Sequence, residues 1–161
     1  MQSFTFDRLP TVRPSLNGHA RVALDELEPA ARILIRALRA AASPRRLDDG
    51  DTAGEQGGLA SVITKFVVVT RDYGGGPAAT VPGDGPQGLT AFEAHTLHAT
   101  ACVQRGLLGE AWQTLAQVCP SACAGQALLR LEEIAALLTR RGDRLTRWRF
   151  EQDVAPSPGR G

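Results

Sequence analysis

Two of the three histidines and all three cysteines of this 161-residue chain lie in one segment, His95 to Cys123, which reads HTLHATACVQRGLLGEAWQTLAQVCPSAC. Imidazole and thiolate are the ligands of structural zinc, so His95, His98 and Cys102 with Cys119 or Cys123 form a candidate metal site. At 100° per residue the first three share a sector of about 60° on one helix. The fourth ligand would have to return from Cys119 or Cys123. If the chain reverses at Gly106, however, Cys119 falls opposite Phe92 or His95 rather than Cys102. The paired CxxC and HxxxH knuckles of zinc modules are also absent. The favoured reading is therefore that the cysteines are small buried apolar residues and that no cofactor is bound, with zinc as the alternative.

Other residue types in the chain could also carry chemistry. Cys123, in the first turn of a helix begun by CPSAC, could have its thiol activated by the helix N-terminus, but it would need His95 or His98 as base. The DYGGGP run after Arg71 lacks the helix start and the Lys of a phosphate loop. LDDGD at Leu47 to Asp51 lacks the later Glu of a calcium loop. The run TRRGDRLTRWRF gathers Arg140, Arg141, Arg144, Arg147 and Arg149 around Trp148, a pattern able to contact phosphate and stack on a base. Asp143, Glu151 and Asp153 dilute that patch. Nucleic acid is a possible partner here but not the favoured one.

Composition narrows the classes. The 18 basic and 17 acidic side chains leave a net charge of +1, so no whole-protein field directs the chain to nucleic acid or acidic lipid. Apolar residues make up 43% of the chain but aromatics only 5%, a mixture that suits closely packed helices. The first residues lack the basic head and apolar run of a secretory signal, and no segment reaches the roughly 18 apolar residues of a membrane span. A cytoplasmic protein of bacterial type, with reduced cysteines and no membrane partner, is the expectation.

The elements that must position these residues are mostly helical. An extended arm over 1–15 precedes a helical segment, Leu16 to Ala42, with a break expected near Glu28 because Pro29 suits a first turn. Two flexible loops are expected over 43–60 and 73–88. Between them SVITKFVVVTRD, rich in Val, Ile and Thr, predicts a minor β element at 61–72, paired with SFTF, with RWRFEQ or with a second copy. A helical unit over 89–142 follows: Leu89 to Arg105 opened by a capping box of Thr90 and Glu93, Leu108 to Val118, and Ser121 to Arg141 stopped by Gly142. Residues 153–161 read as a disordered tail.

Ala99, Cys102, Gly106, Ala111 and Leu115 follow a pattern that is similar to one helix pair of a tetratricopeptide repeat. The resemblance implies an antiparallel αα-hairpin turning at Gly106. It implies no array, because about three units are needed for one. The sequence thus predicts a single, mainly α domain over 1–161, a small α+β fold in which an N-terminal helical segment packs on a C-terminal three-helix unit. The functional expectation is a non-enzymatic interaction or regulatory protein, acting on a protein partner through a helical surface or by self-association.

Overall fold

The computed structural model of the chain describes residues 11–12, 24–43, 58–72, 88–147 and 149–150. Among these residues five α-helices carry the fold: α1 (Pro29–Ala42), α2 (Leu59–Asp72), α3 (Ala91–Val103), α4 (Leu108–Leu115) and α5 (Ser121–Arg140). A 3-10 turn at Leu24–Glu26 precedes α1, and two-residue strands β1 (Thr11–Val12) and β2 (Arg149–Phe150) pair in parallel. Helices pack on helices throughout, as a mainly α fold requires. Among the described residues no helix is long and apolar enough to cross a membrane.

The helix boundaries follow local chemistry. Glu28 is extended (ψ 154°) and Pro29 occupies the first turn of α1, where its missing N–H leaves no bond unmade. At α3 the Thr90 hydroxyl accepts from the Glu93 N–H at 3.1 Å, while the Glu93 carboxylate accepts from the Thr90 N–H at 2.9 Å. Both halves of the capping box are therefore made. Two glycines end helices in the left-handed region, Gly106 at φ 74° after α3 and Gly142 at φ 81° after α5. At each the following residue bonds back five positions, Leu107 N–H to Cys102 O and Asp143 N–H to Leu138 O, both at 2.9 Å. With Gly106 N–H on Val103 O and Gly142 N–H on Thr139 O, both are Schellman turns.

The segment expected as a strand at 61–72 is a helix. Its buried residues are Val62, Ile63, Phe66, Val67 and Thr70, a 3.6-residue stripe, whereas Thr64, Lys65, Val68 and Arg71 are exposed. β-Branched composition lowers helix propensity only by tenths of a kcal/mol per residue, and burial of this stripe against α1 and α5 outweighs it. The one internal hydroxyl, Thr70, donates to the carbonyls of Phe66 and Val67. The expected loop over 43–60 is corrected at its end too, since α2 begins at Leu59. The N-terminal arm and RWRF do supply strands, but Thr11 pairs with Arg149 and Val12 with Phe150, not with 61–72. The remainder of the arm, residues 16–23, most of both expected loops and the 153–161 tail lie outside the described residues.

Helix α3 is the centre. Ten of its thirteen residues are buried, and α1, α4 and α5 all pack on it. Phe92 reaches Phe66 of α2, with ring centroids 6.0 Å apart and planes tilted by 34°. Ala94, Ala99 and Ala101 keep its surface low enough for neighbours to approach on several sides. Its buried hydroxyls stay within the helix: Thr96 donates to Phe92 O at 2.8 Å and Thr100 to Thr96 O at 2.7 Å. Glu93, only 4% exposed, receives a two-pronged pair from Arg39 of α1, at 2.6 and 2.9 Å. The carboxylate thus caps its own helix and joins α1 to it, and it holds Arg39 above its ordinary pKa through that hydrogen bond.

The helical assignment of 61–72 yields a direct test. A strand would place Phe66 and Val68 on one face, whereas the helix buries Val67 (3% exposed) and exposes Val68 (46%). In urea unfolding followed by circular dichroism, Val68→Lys is expected to change stability by no more than about 0.5 kcal/mol. Val67→Lys is expected to cost several kcal/mol by burying an unpaired ammonium. Equal effects of the two would contradict the helix.

Candidate functional site

The five His and Cys residues of the opening segment do not converge on one point. Among the described residues, the one trio of possible ligands whose donor atoms all lie within 4.8 Å of each other is His98, Cys102 and Glu110. His98 and Cys102 share a face of α3 because they are four residues apart, and Nε2 of the first stands 3.5 Å from Sγ of the second. The Schellman turn at Gly106 then reverses the chain. It brings Glu110, in the first turn of α4, to 3.9 Å from the thiol.

A fourth group enters from the C-terminal segment. Nη2 of Arg147 donates to Oε2 of Glu110 at 2.5 Å, and the guanidinium charge also acts on the Cys102 thiol. The segment from Asp143 to Arg147 has no regular structure and is held by side chains. Gln104 donates to Asp143 O and accepts from the Leu145 N–H, each at 2.8 Å. Glu28 accepts from the Thr146 N–H at 2.6 Å and from its hydroxyl at 2.8 Å. Leu145 is buried between these anchors. Arg147 is incompletely satisfied, for its Nε is buried without a hydrogen-bond partner among the described residues.

Electrostatics decide the chemistry of this cluster. Burial, followed by the charge of Arg147, lowers the His98 pKa to about 4, against a smaller opposite effect of Glu110. The imidazole is therefore neutral near pH 7. Burial also raises the Cys102 thiol above its ordinary value, reinforced by Glu110 and opposed by Arg147. A neutral imidazole beside a protonated, 0% exposed thiol is the reverse of the exposed thiolate and imidazolium that a nucleophilic cysteine uses.

The other candidates have separate places. His95 lies 2.7 Å through Nδ1 from Ala91 O and 3.2 Å through Nε2 from Oε1 of Gln117, which is beside α4 as the antiparallel hairpin implies. Cys119 donates to Leu115 O at 3.1 Å. Burial and its neighbour Cys123 push that thiol up to about 12. Cys123 is itself fully buried, out of reach of any substrate, and all three cysteines are free thiols.

The arginine run is also divided. Arg141 pairs with Asp143 at 3.4 Å and Arg147 with Glu110, Arg140 and Arg144 are exposed, Arg149 lies in β2, and Trp148 is outside the described residues. LDDGD and the glycines of DYGGGP are outside them as well. Sequence reasoning overlooked Glu110 and assigned Arg147 to another role. The available signal was the turn: a reversal at Gly106 sets the first residues of α4 beside the last of α3.

The lowered His98 pKa implies a pH dependence. Unfolded, the ring titrates near 6.5; folded, near 4. Between these values the unfolded chain binds a proton that the native chain does not, so stability is full above about pH 6.5 and falls as the pH drops toward 4. Denaturation midpoints measured across this window, with chelator present, should decline for the natural chain and decline less for His98→Gln. No protein-family model, curated protein or solved structure matches the chain.

Proposed function

We propose that the chain is a non-enzymatic interaction protein that works through an exposed helical face of α4 and α5, with a second copy of itself as occupant. The observation that carries this reading is the arrangement of large apolar side chains left in solvent. Leu108 (44% exposed) and Trp112 (39%) are one turn apart on α4. The Trp112 ring covers Gly125 of α5, where an added Cβ would stand 3.5 Å from the indole, and Leu129 (54%) follows one turn further along α5. Because α4 runs back along α5 after a short turn, these residues form one apolar strip. Aromatic and aliphatic anchors of this kind, set on rigid elements, are what a helical interface uses.

Charge supports a self-complementary contact. A net charge of +1 sets little repulsion between two copies. Arg130 and Glu133, paired at 2.5 Å, flank Leu129, so a two-fold axis lets each meet its opposite from the other copy. The chemistry of the His98 cluster adds support from the other side, since its thiol is buried and protonated.

Sedimentation equilibrium over micromolar to millimolar protein tests the reading. The natural chain should show concentration-dependent dimerisation. Leu129→Glu should be monomeric over the same range with its melting temperature preserved, because that side chain makes little of the core. A natural chain that stays monomeric throughout, or an undiminished dimer for both Leu129→Glu and Leu108→Glu, would overturn it.

A further inference from the structure

The geometry points to a cation site formed by His98, Cys102 and Glu110, with zinc-type divalent ions as ligand and Arg147 as the internal cation that such an ion displaces. Two donors on a tetrahedral zinc, at about 2.05 Å for nitrogen and about 2.3 Å for thiolate, stand about 3.6 Å apart. Nε2 of His98 and Sγ of Cys102 stand 3.5 Å apart. A carboxylate oxygen at about 2.1 Å also falls about 3.6 Å from the sulfur, and Oε2 of Glu110 is 3.9 Å from it. All three donor atoms lie within 4.8 Å of one another, and the carboxylate is the half-exposed member of the trio, so rotation of the Glu110 side chain can bring its oxygen into the shell without disturbing the core. The other two are held in a buried helix whose backbone is fixed by its neighbours.

This set differs from the zinc site expected from sequence, since it omits His95, Cys119 and Cys123 and adds Glu110. One sulfur, one imidazole nitrogen and one carboxylate oxygen suit a borderline ion such as zinc and not calcium or magnesium, which take oxygen ligands. A second, independent observation comes from the other side of the cluster. Arg147 already places positive charge against both Glu110 and the thiol, yet its Nε is buried and unpaired among the described residues. The seat favours a cation and does not fully satisfy the one it holds. When the ion enters, the Cys102 proton passes to solvent and the Glu110 carboxylate exchanges Arg147 for the ion. The imidazole keeps its protonation state, and water takes the fourth position.

Titration of the reduced, chelator-treated full chain with Co2+ tests this, because a thiolate bound to cobalt gives a charge-transfer band. The expected result is one equivalent bound, with the band retained in a Cys119→Ser/Cys123→Ser double variant and lost in Cys102→Ser. Glu110→Gln, at a half-exposed position that keeps the fold, should weaken binding roughly tenfold or more, and Arg147→Gln should tighten it. Absence of the band in the natural chain would overturn the site. So would its persistence in Cys102→Ser, its loss in the double variant with the helical spectrum intact, or unchanged affinity in Glu110→Gln.

Discussion

A helix buried on almost every side imposes a condition on everything around it: each polar group it carries must be satisfied by protein. Helix α3 meets that condition along its length. Thr96 and Thr100 turn their hydroxyls onto carbonyls one turn back. Glu93 caps the backbone behind it and accepts Arg39 from α1. His98, near the other end, remains neutral because burial makes its charged form too costly. A buried carboxylate with two guanidinium hydrogen bonds and one backbone hydrogen bond is strongly committed, and removing one partner would strand a charge in the core. The surrounding helices are therefore placed by α3, α1 through Glu93 and the α4 hairpin through the turn at Gly106.

Features set by neighbours in sequence were legible from sequence alone. Pro29 marks the start of α1, Thr90 and Glu93 mark the start of α3, and Gly106 and Gly142 mark two helix ends, each through backbone chemistry confined to a few residues. Over 61–72 residue type points to a strand, whereas periodicity points to the helix that forms. Val62, Ile63, Phe66, Val67 and Thr70 already spell a helical stripe, and alternation would have required Phe66 and Val68 to share a face. The candidate site was legible only in part. His98 and Cys102 are linked by helical spacing, whereas Glu110 joins them through a turn and Arg147 through a tertiary path that no spacing rule encodes. Crowding in sequence misled for the same reason. Cys119 and Cys123 lie beyond α4, and the antiparallel hairpin carries them away from Cys102.

The C-terminal segment illustrates how irregular backbone is fixed without ladders. Between α5 and β2, the Asp143 carbonyl and the Leu145 and Thr146 N–H groups find their partners in two side chains, Gln104 of the α3 turn and Glu28 ahead of α1. Gln104 uses both ends of its amide, the NH2 donating to the Asp143 carbonyl and the oxygen accepting from the Leu145 N–H. Leu145, between them, supplies the apolar burial that holds this path against the bundle.

The uniform burial of α3 also removes a source of order that most helices have. An amphipathic helix is oriented about its axis by the contrast between its faces, but α3 has apolar or small residues nearly all the way round. Hydrophobic burial alone would tolerate its rotation. Its rotational register is instead specified by polar contacts near its two ends, the Arg39 fork on Glu93 and the meeting of His98 and Cys102 with Glu110 and Arg147. The few charged groups inside this fold thus act as an index mark that selects one angular setting of the central helix among several of similar packing.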